Sequence, residues 1–369
     1  MTPGKQPDDA RGGAGLAQLL ADRLAAQLLS GPPARDAGEV VARLLAVQAQ
    51  DPRGARLAIR ARSAGLRAAD VDHALTASRS LLITWLNRGT LHLVRVEDYW
   101  WLRELTTPPL FTGNARRLAQ EGVPPSGADR AVTAIERALT ADGPLTRGQL
   151  RDRIDAAGVR TQGQALVHVL MLASLRGLII RGPMIGSEHG FVLTRDWLGP
   201  APASAVGQDR DRALAELARR YLAGHGPASD RDLAKWAGLP LRDARRGLSS
   251  ISAQLAGRDD GLASLAGGEP APGLPPPRLL GAFDPVLLGW VSREQVLGAH
   301  QGIVTVNGLF RPFALAGGRA VATWALAGGE LTIRPFAPLD PAVSLALEQD
   351  AADISRFLTA PDPPPASPA

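Results

Sequence analysis

The sequence predicts an α+β fold, mainly α, with a smaller β-rich part near the C-terminal end of the 369-residue chain. Three observations support this class. Up to about residue 265, apolar side chains recur at the spacing of amphipathic helices. Two groups of these helices are each followed by a pair of short apolar runs, which is typical of a β-hairpin. Beyond residue 277, strand-like runs alternate with Gly-Gly turns.

Composition and length narrow the class of protein. The chain is long enough for two or three domains, and its 45% hydrophobic and 21% charged residues are ordinary for a soluble globular protein. The absence of cysteine excludes disulfides, thiolate catalysis and cysteine-bound metal centres. No apolar run is long enough to span a membrane, and residues 1–13 lack the apolar core of a signal peptide, so we expect a cytoplasmic protein.

The charge balance is basic, with a formal net charge of +5. All but two of the 41 basic residues are arginine, the exceptions being Lys5 and Lys235. A high genomic GC content would produce this bias without a functional cause. Selection for phosphate contact would also produce it, because the guanidinium group suits oxyanions. The balance is therefore compatible with a polyanionic partner but does not prove one.

The first module is predicted to contain four helices and a hairpin. Apolar periodicity predicts helices over 16–29, over 37–47, from about Arg53 and from about Asp70. Two apolar runs, 80–86 and 90–94, then flank Asn87-Arg88-Gly89, whose composition suits a hairpin turn. Helices followed by a hairpin are the order of a winged helix.

Two further modules repeat this order. The second has predicted helices over 128–142, from Thr146 and over 164–177, then hairpin runs at 178–182 and 190–194. The third has predicted helices over 209–223, from Ser229 and over 239–251. The last of these would be the recognition-type helix, and its surface arginines are Arg242, Arg245 and Arg246.

An internal repeat supports this arrangement. The octets at 143–150 and 226–233 share the pattern G-P-x-[T/S]-x-x-x-L, 83 residues apart. A capped helix after a Gly-Pro turn is typical of the opening of a helix-turn-helix, although two unrelated helix starts could share the pattern by coincidence.

The C-terminal part is predicted to be a small antiparallel β-sheet or partial barrel. A Gly/Pro-rich stretch at 266–277 ends the helical body, and 302–307 (GIVTVN) is the first strand-like run after it. Gly317-Gly318 and Gly328-Gly329 separate the later strands, and a last helix covers about 341–358. The predicted divisions are a disordered N-terminus (1–15), three tandem winged-helix modules (16–110, 111–200 and 201–265), a β-rich region (266–358) and a disordered tail (359–369).

Several kinds of chemistry lack their sequence motifs. The chain has no P-loop, no dinucleotide fingerprint, no H-E-x-x-H and no G-x-S-x-G. The six histidines are scattered at no metal-ligand spacing, so we expect neither a metal nor a cofactor. With only two lysines, one of them inside a predicted helix, a Schiff-base lyase mechanism has little support.

The most unusual local feature is Gln48-Ala49-Gln50-Asp51-Pro52. Pro52 disfavours helix at Asp51, so the preceding helix should end within 47–50. In an extended or turn segment, Gln48 and Gln50 would share one face with Ala49 turned away. Both amides could then converge on one small target such as a water. The alternative is a pair of solvated glutamines at a helix end.

The helix that follows carries three arginines on one face, Arg53, Arg56 and Arg60. Its N-terminus lies beside the glutamines, where the helix dipole favours an anion. These arginines are therefore candidate phosphate contacts, with an ordinary solvated face as the alternative.

Six segments together resemble the AlkZ/YcaQ-type winged-helix DNA glycosylases, in the order found in that family. They are 48–53 (QAQDPR), 88–93 (RGTLHL), 98–102 (DYWWL), 283–290 (FDPVLLGW), 308–312 (GLFRP) and 318–324 (GRAVATW). The resemblance runs from about residue 16 to 345. It implies three tandem winged helices around a basic concave surface, with β structure at the C-terminal end.

The resemblance also implies an activity. The family's catalytic motif is Q-Φ-Q in the AlkZ branch and Q-Φ-D in the YcaQ branch, and Gln48-Ala49-Gln50 has the AlkZ form, although alanine is small for Φ. The implied enzyme is a monofunctional, metal-independent DNA glycosylase that excises cationic N7- or N3-alkylated purines from double-stranded DNA. Its substrates would include bulky adducts or interstrand crosslinks, in DNA repair or self-resistance to a genotoxin. A monomer is implied as well.

Glutamine suits such substrates chemically. A cationic purine leaves without a general acid, so the site needs only to position a water and to offer dipoles to the developing sugar cation. Gln48 and Gln50 are assigned these roles, and neutral lesions such as uracil should not be released. His92, Arg88 and Thr90 are the supporting residues. Asp51 is interpreted as a turn residue rather than a base, and Asp284 as an Asx turn.

Two other functions remain open from the sequence. One is a non-catalytic winged-helix DNA-binding protein such as a regulator, and the other is a scaffold with no affinity for DNA. A regulator has no use for converging amides and should show strong sequence preference. A repair enzyme should bind mainly through the backbone, with a steep salt dependence.

Overall fold

The computed structural model describes residues 7–202, 209–268 and 271–359, without the side chains of 7–14. About half of these residues are helical, and the strands form small antiparallel sheets, so the chain is a mixed α/β protein. Apart from Thr359, the tail that was expected to be disordered (359–369) lies outside the described residues. No helix among the described residues is both long enough and apolar enough to cross a membrane.

The first part of the chain follows the predicted order of helices and a hairpin. Its elements are α1 Pro7–Ala26, α2 Ala37–Leu44, β1 Val47–Gln48, α3 Pro52–Arg60, α4 Ala68–Thr76, β2 Leu81–Leu86 and β3 Thr90–Arg95. Helix α1 begins at Pro7, within the range 1–15 that was expected to be disordered, and a proline and two acidic residues suit the first turn of a helix. Helix α2 ends at Leu44 rather than at residue 47, because Leu45 adopts a φ of 65°.

The second part carries two helices that were not predicted ahead of the predicted three. Its elements are α5 Val96–Thr106, α6 Leu110–Gln120, α7 Pro125–Asp142, α8 Arg147–Ala156, α9 Ala165–Leu175, β4 Ile179–Ile185, β5 Glu188–Leu193 and α10 Thr194–Leu198. The predicted N-cap of α8 is confirmed, since the Thr146 side chain accepts from Gln149 N and the Gln149 side chain accepts in return from Thr146 N. The loop between β4 and β5 is shorter than expected, because both strands continue to the turn at residues 186–187.

The third part repeats the local structure at the start of α8. Its elements are α11 Arg210–His225, α12 Asp230–Ala237, α13 Leu241–Ser250, β6 Leu255–Ala256 and β7 Ser264–Leu265. Ser229 caps α12 through a capping box with Asp232, as Thr146 does for α8. The repeated octet therefore marks two helix starts of the same kind.

One sheet joins the first and second parts. Its strand order is β1-β3-β2-β4-β5, and the connection between the two hairpins is the pairing of Ile83 with Arg181. Strand β2 is buried along its whole length, because apolar clusters cover both faces of the sheet. The boundary predicted at 110/111 thus separates two segments that share a sheet and a continuous core.

The C-terminal part is an open sheet rather than a barrel. Its elements are β8 Arg278–Leu280, α14 Glu294–Leu297, β9 Phe313–Ala316, β10 Arg319–Ala327, β11 Glu330–Pro335 and α15 Pro341–Leu358. The strands pair in the antiparallel order β11-β10-β9-β8, and both predicted Gly-Gly turns are confirmed. The strand expected at 302–307 is wrong: the short 3-10 turn Gln301–Ile303 is followed by a loop closed by an isolated bridge between Val304 and Phe310.

Candidate active site

Gln48 lies at the edge of the five-stranded sheet with its amide group inside the protein. It pairs with His92 on β3, and His92 pairs in turn with Thr84 on β2, so the three polar side chains form one row across the sheet. Gln48 is 6% exposed. Its Oε1 is buried and has no hydrogen-bond partner among the described residues. A buried acceptor in this state is open to a ligand or a water.

Gln50 lies just beyond the strand, in a bend, and is exposed. Its Oε1 accepts a hydrogen bond from Leu91 N at 3.3 Å. Ala49 between the glutamines donates its N–H to Leu91 O at 2.8 Å and packs in the apolar core with Val47. The segment is therefore extended against β3, with one glutamine buried and the other at the surface.

Asp51 has the turn role expected from the sequence. Its side chain accepts from Gly54 N at 2.7 Å and caps α3, while Pro52 occupies the first turn. This hydrogen bond fixes the start of α3 directly after the two glutamines.

Only one of the three arginines predicted on α3 is free for a phosphate. Arg53 is exposed, and no ion pair holds it in the described structure. Arg56 pairs with Asp72, and its guanidinium is largely covered. Arg60 is 3% exposed and is bound by Asp350 and Asp353 of α15. The assignment of Arg60 to DNA is corrected here, because α15 supplies carboxylates that the local sequence does not reveal.

Arg88 joins the hairpin turn to the third part of the chain. Its Nη1 donates to the carbonyl oxygens of Lys235 and Trp236, at 3.0 and 2.9 Å, in the last turn of α12. Gly238 fits closely against the same turn, since a Cβ there would lie 2.8 Å from Asn87 O. Thr90 follows with a buried Oγ1 that has no partner among the described residues.

His92 is buried and neutral. Its Nδ1 lies 2.9 Å from the carbonyl oxygen of Thr90, which places the ring proton on Nδ1 and leaves Nε2 as an acceptor. Burial, and secondarily the charge of Arg88, lower the pKa of His92 to about 3. His92 can therefore accept a hydrogen bond near neutral pH but cannot supply a proton.

Because His92 and two other histidines are buried, we expect the stability of the protein to depend on pH. Burial also lowers the pKa of His225 to about 3 and that of His189 to about 4. Below a pH of about 6.5, these histidines bind protons in the unfolded chain but not in the folded one. The free energy of unfolding is therefore highest above that pH and decreases as the pH drops towards 4. We expect a slope of about 1.4 kcal/mol per pH unit for each bound proton.

Urea unfolding at several pH values measures this slope. His92→Asn should flatten the curve, and substitution of the exposed His73 is the matched control that should leave it unchanged. Equal slopes for wild type and His92→Asn would contradict a buried neutral His92.

A second segment packs against the start of α3. A Cβ on Gly54 would lie 2.3 Å from Ala282 O, so only glycine allows this approach. The next residue, Phe283, has a φ of 58°, and its ring lies 5.0 Å from that of Phe310. Apolar periodicity and spacing did not predict that these aromatics lie on a segment packed against α3. Phe283 and Phe310 do belong to two of the segments that carried the family resemblance, 283–290 and 308–312.

Asp284 anchors this segment in the core. Its carboxylate accepts from Val286 N at 3.0 Å, which confirms the predicted Asx turn. It also binds Arg62 at 2.8 and 3.0 Å, and both side chains are fully buried. This ion pair connects the end of α3 to the segment that carries Phe283.

The arginines of α13 lie at the surface as expected. Arg242 has an 87% exposed side chain, 3.8 Å from Asp243. Arg245 pairs with Asp230 and Arg246 pairs with Asp211, and both arginines are more than half exposed. Exposed pairs of this kind are weak, so these side chains can exchange their partners for a phosphate.

Nothing in the described part of the chain brings together three or more histidine, aspartate or glutamate side chains in a way that could hold a metal ion.

Comparison with known proteins places this chain in a family. The model of the AlkZ-like DNA glycosylases matches residues 41–357, a range that includes both glutamines. A protein of Streptomyces sahachiroi named "Interstrand DNA cross-link repair glycosylase" is 29% identical to this chain, over 92% of this chain and 95% of its own length. The solved structure of Streptomyces sahachiroi DNA glycosylase AlkZ superposes with a TM-score of 0.75 at 28% identity, over 92% of this chain and 96% of that one. The chain belongs to the AlkZ-like DNA glycosylase family.

Proposed function

We propose that this protein is a monofunctional DNA glycosylase that needs no metal and removes cationic N7- or N3-alkylated purines from double-stranded DNA. The observation that carries the proposal is the buried, unpartnered Oε1 of Gln48 opposite neutral His92, in a chain of this family. Gln50, directly after the strand, supplies the second amide.

Removal of a cationic purine does not require the protein to supply a general acid. An N7- or N3-alkylated purine is already a cation, so its departure needs no general acid, and the developing positive charge lies on the sugar. The Oε1 atoms of Gln48 and Gln50 offer partial negative charge to that sugar and an acceptor to the attacking water. Neutral His92 adds the lone pair of Nε2, which is consistent with its lowered pKa.

The relatives support a wider substrate class than simple methylated purines. The name of the Streptomyces sahachiroi protein supports a role in interstrand crosslink repair, and we extend this to bulky adducts and to self-resistance against an alkylating genotoxin. We interpret the three successive sets of helices and hairpins as winged helices of a monomer bound to duplex DNA. Arg53, Arg242, Arg245 and Arg246 are the proposed phosphate contacts on its surface, as all four are exposed.

Base release by the purified protein tests the proposal. We expect 7-methylguanine to be released from methylated duplex DNA, measured by mass spectrometry, and no uracil to be released from a uracil-containing duplex. Efficient uracil release would contradict the assignment of a site without a general acid, since uracil is a poor leaving group without acid assistance. Duplex binding without release of any alkylated base would favour the non-catalytic DNA-binding function.

A further inference from the structure

Three cationic side chains meet beside the candidate active site: Arg88, Lys235 and Arg293. Arg88 binds the carbonyl oxygen of Lys235 itself, at 3.0 Å. The Lys235 ammonium donates to Val291 O at 3.1 Å, and Arg293, two residues further on, donates from Nε to Leu287 O at 2.6 Å. The turn between β2 and β3, the last turn of α12 and the start of α14 thus bring three positive charges together.

Among the described residues, no carboxylate forms an ion pair with this cluster. Within the described ranges, the hydrogen bonds of all three side chains go to backbone carbonyl oxygens, and none of the three forms an ion pair. Burial and the charge of Arg293 lower the pKa values of both Arg88 and Lys235. Asp232 raises the pKa of Lys235, but its carboxylate oxygens are engaged by Val291 N and by Ser229.

Four other covered arginines of this protein have a carboxylate partner. Arg56, Arg60, Arg62 and Arg220 each bind aspartate at 3.1 Å or less. Like charges held together without a counter-ion oppose each other, and such an arrangement is typical of a site whose anion arrives with a ligand.

The cluster borders the proposed site on two sides. The charge of Arg88 acts on His92, which faces Gln48 across the sheet. The guanidinium of Arg293 lies 5.1 Å above the ring of Phe310, which in turn contacts Phe283. The cluster therefore acts electrostatically on the histidine that pairs with Gln48 and is in contact with the aromatic segment.

We propose that Arg88, Lys235 and Arg293 bind one backbone phosphodiester of the damaged strand, adjacent to the nucleotide whose base is removed. This inference rests on the proposed function, because it takes DNA as the ligand of the site. Two guanidinium groups and an ammonium group present several donors to one phosphate, which would neutralise the cluster on binding. Binding that phosphate would also hold the sugar against Gln48 and Gln50.

Binding of the full chain to two duplexes tests the proposal. One duplex is intact, and the other carries a single tetrahydrofuran abasic analogue; affinity is measured by fluorescence anisotropy over a range of salt concentrations. The variant is Lys235→Gln/Arg293→Gln, with Arg88 left in place because it also caps α12. Arg334→Gln, an exposed arginine on β11, is the matched control for loss of charge.

We expect the double variant to bind the abasic duplex about tenfold more weakly than wild type, as for loss of a charge-assisted contact. The slope of log affinity against log salt should become shallower by about one phosphate contact. The preference of wild type for the abasic duplex should shrink, and the control should change none of these values. The charge-retaining variant Lys235→Arg/Arg293→Lys should restore most of the affinity, which separates the effect of charge from that of a fold defect.

Affinity, slope and abasic preference equal to those of Arg334→Gln would overturn the phosphodiester site. If the wild type released no base but the double variant still showed the shallower salt slope, the result would count against the proposed reaction but not against this phosphodiester site. Wild type with no affinity for either duplex would overturn both.

Discussion

Alanine at both Gln48 and Gln50 is expected to reduce release of 7-methylguanine by about 100-fold or more, the effect of removing preorganised dipoles from a transition state. Affinity for undamaged duplex DNA should stay at the wild-type value, because neither amide carries a charge that a phosphate would bind. Single-turnover base release and anisotropy measure the two quantities separately.

The single variants should differ. Gln48 holds an unpartnered Oε1 inside the protein, whereas Oε1 of Gln50 is already engaged by Leu91 N. Gln48→Ala should therefore cause the larger loss of base release. Gln254→Ala, at an exposed glutamine of the third part of the chain, is the control that should retain full activity. Base release by the double variant at the wild-type rate would show that Gln48 and Gln50 take no part in the reaction.

Breaking the ion pair between Arg62 and Asp284 is expected to have the largest effect on stability. Both side chains are 0% exposed, and Arg62 also donates to Gln27 Oε1 and Ala58 O. Arg62→Met leaves the Asp284 carboxylate buried without its cation, so the free energy of unfolding should fall by about 3–5 kcal/mol. Urea denaturation followed by circular dichroism measures the change.

A surface ion pair provides the comparison. Arg153 pairs with Asp142 at 2.7 Å, with side-chain exposures of 56% and 38%. Arg153→Met should change the free energy of unfolding by less than about 1 kcal/mol. The variant Arg62→Met/Asp284→Leu should be less destabilised than Arg62→Met alone, because it leaves no uncompensated charge. Equal losses for Arg62→Met and Arg153→Met would mean that the buried pair contributes no more than an exposed one.

Much of the secondary structure could be predicted because it is encoded locally. Thr146 and Ser229 bond to backbone three residues ahead, so each helix start is written within one octet. The hairpin around Asn87 was predictable for the same reason, since the turn needs residues that tolerate a positive φ. The run at 302–307 has the apolar composition of a strand, but it forms only one isolated bridge. A strand requires a partner, and composition alone does not supply one.

The sequence by itself determined the helix starts, the hairpins, the glutamine pair beside a helix N-terminus and the resemblance to a glycosylase family. The tertiary structure decided which of these groups are available. Arg60 is taken by Asp350, 290 residues away, and Arg62 by Asp284, 222 residues away. The burial of Gln48 depends on its pairing with His92 on a strand 44 residues later. Capping and turn formation are interactions between near neighbours, whereas burial and charge pairing join segments that only folding brings together.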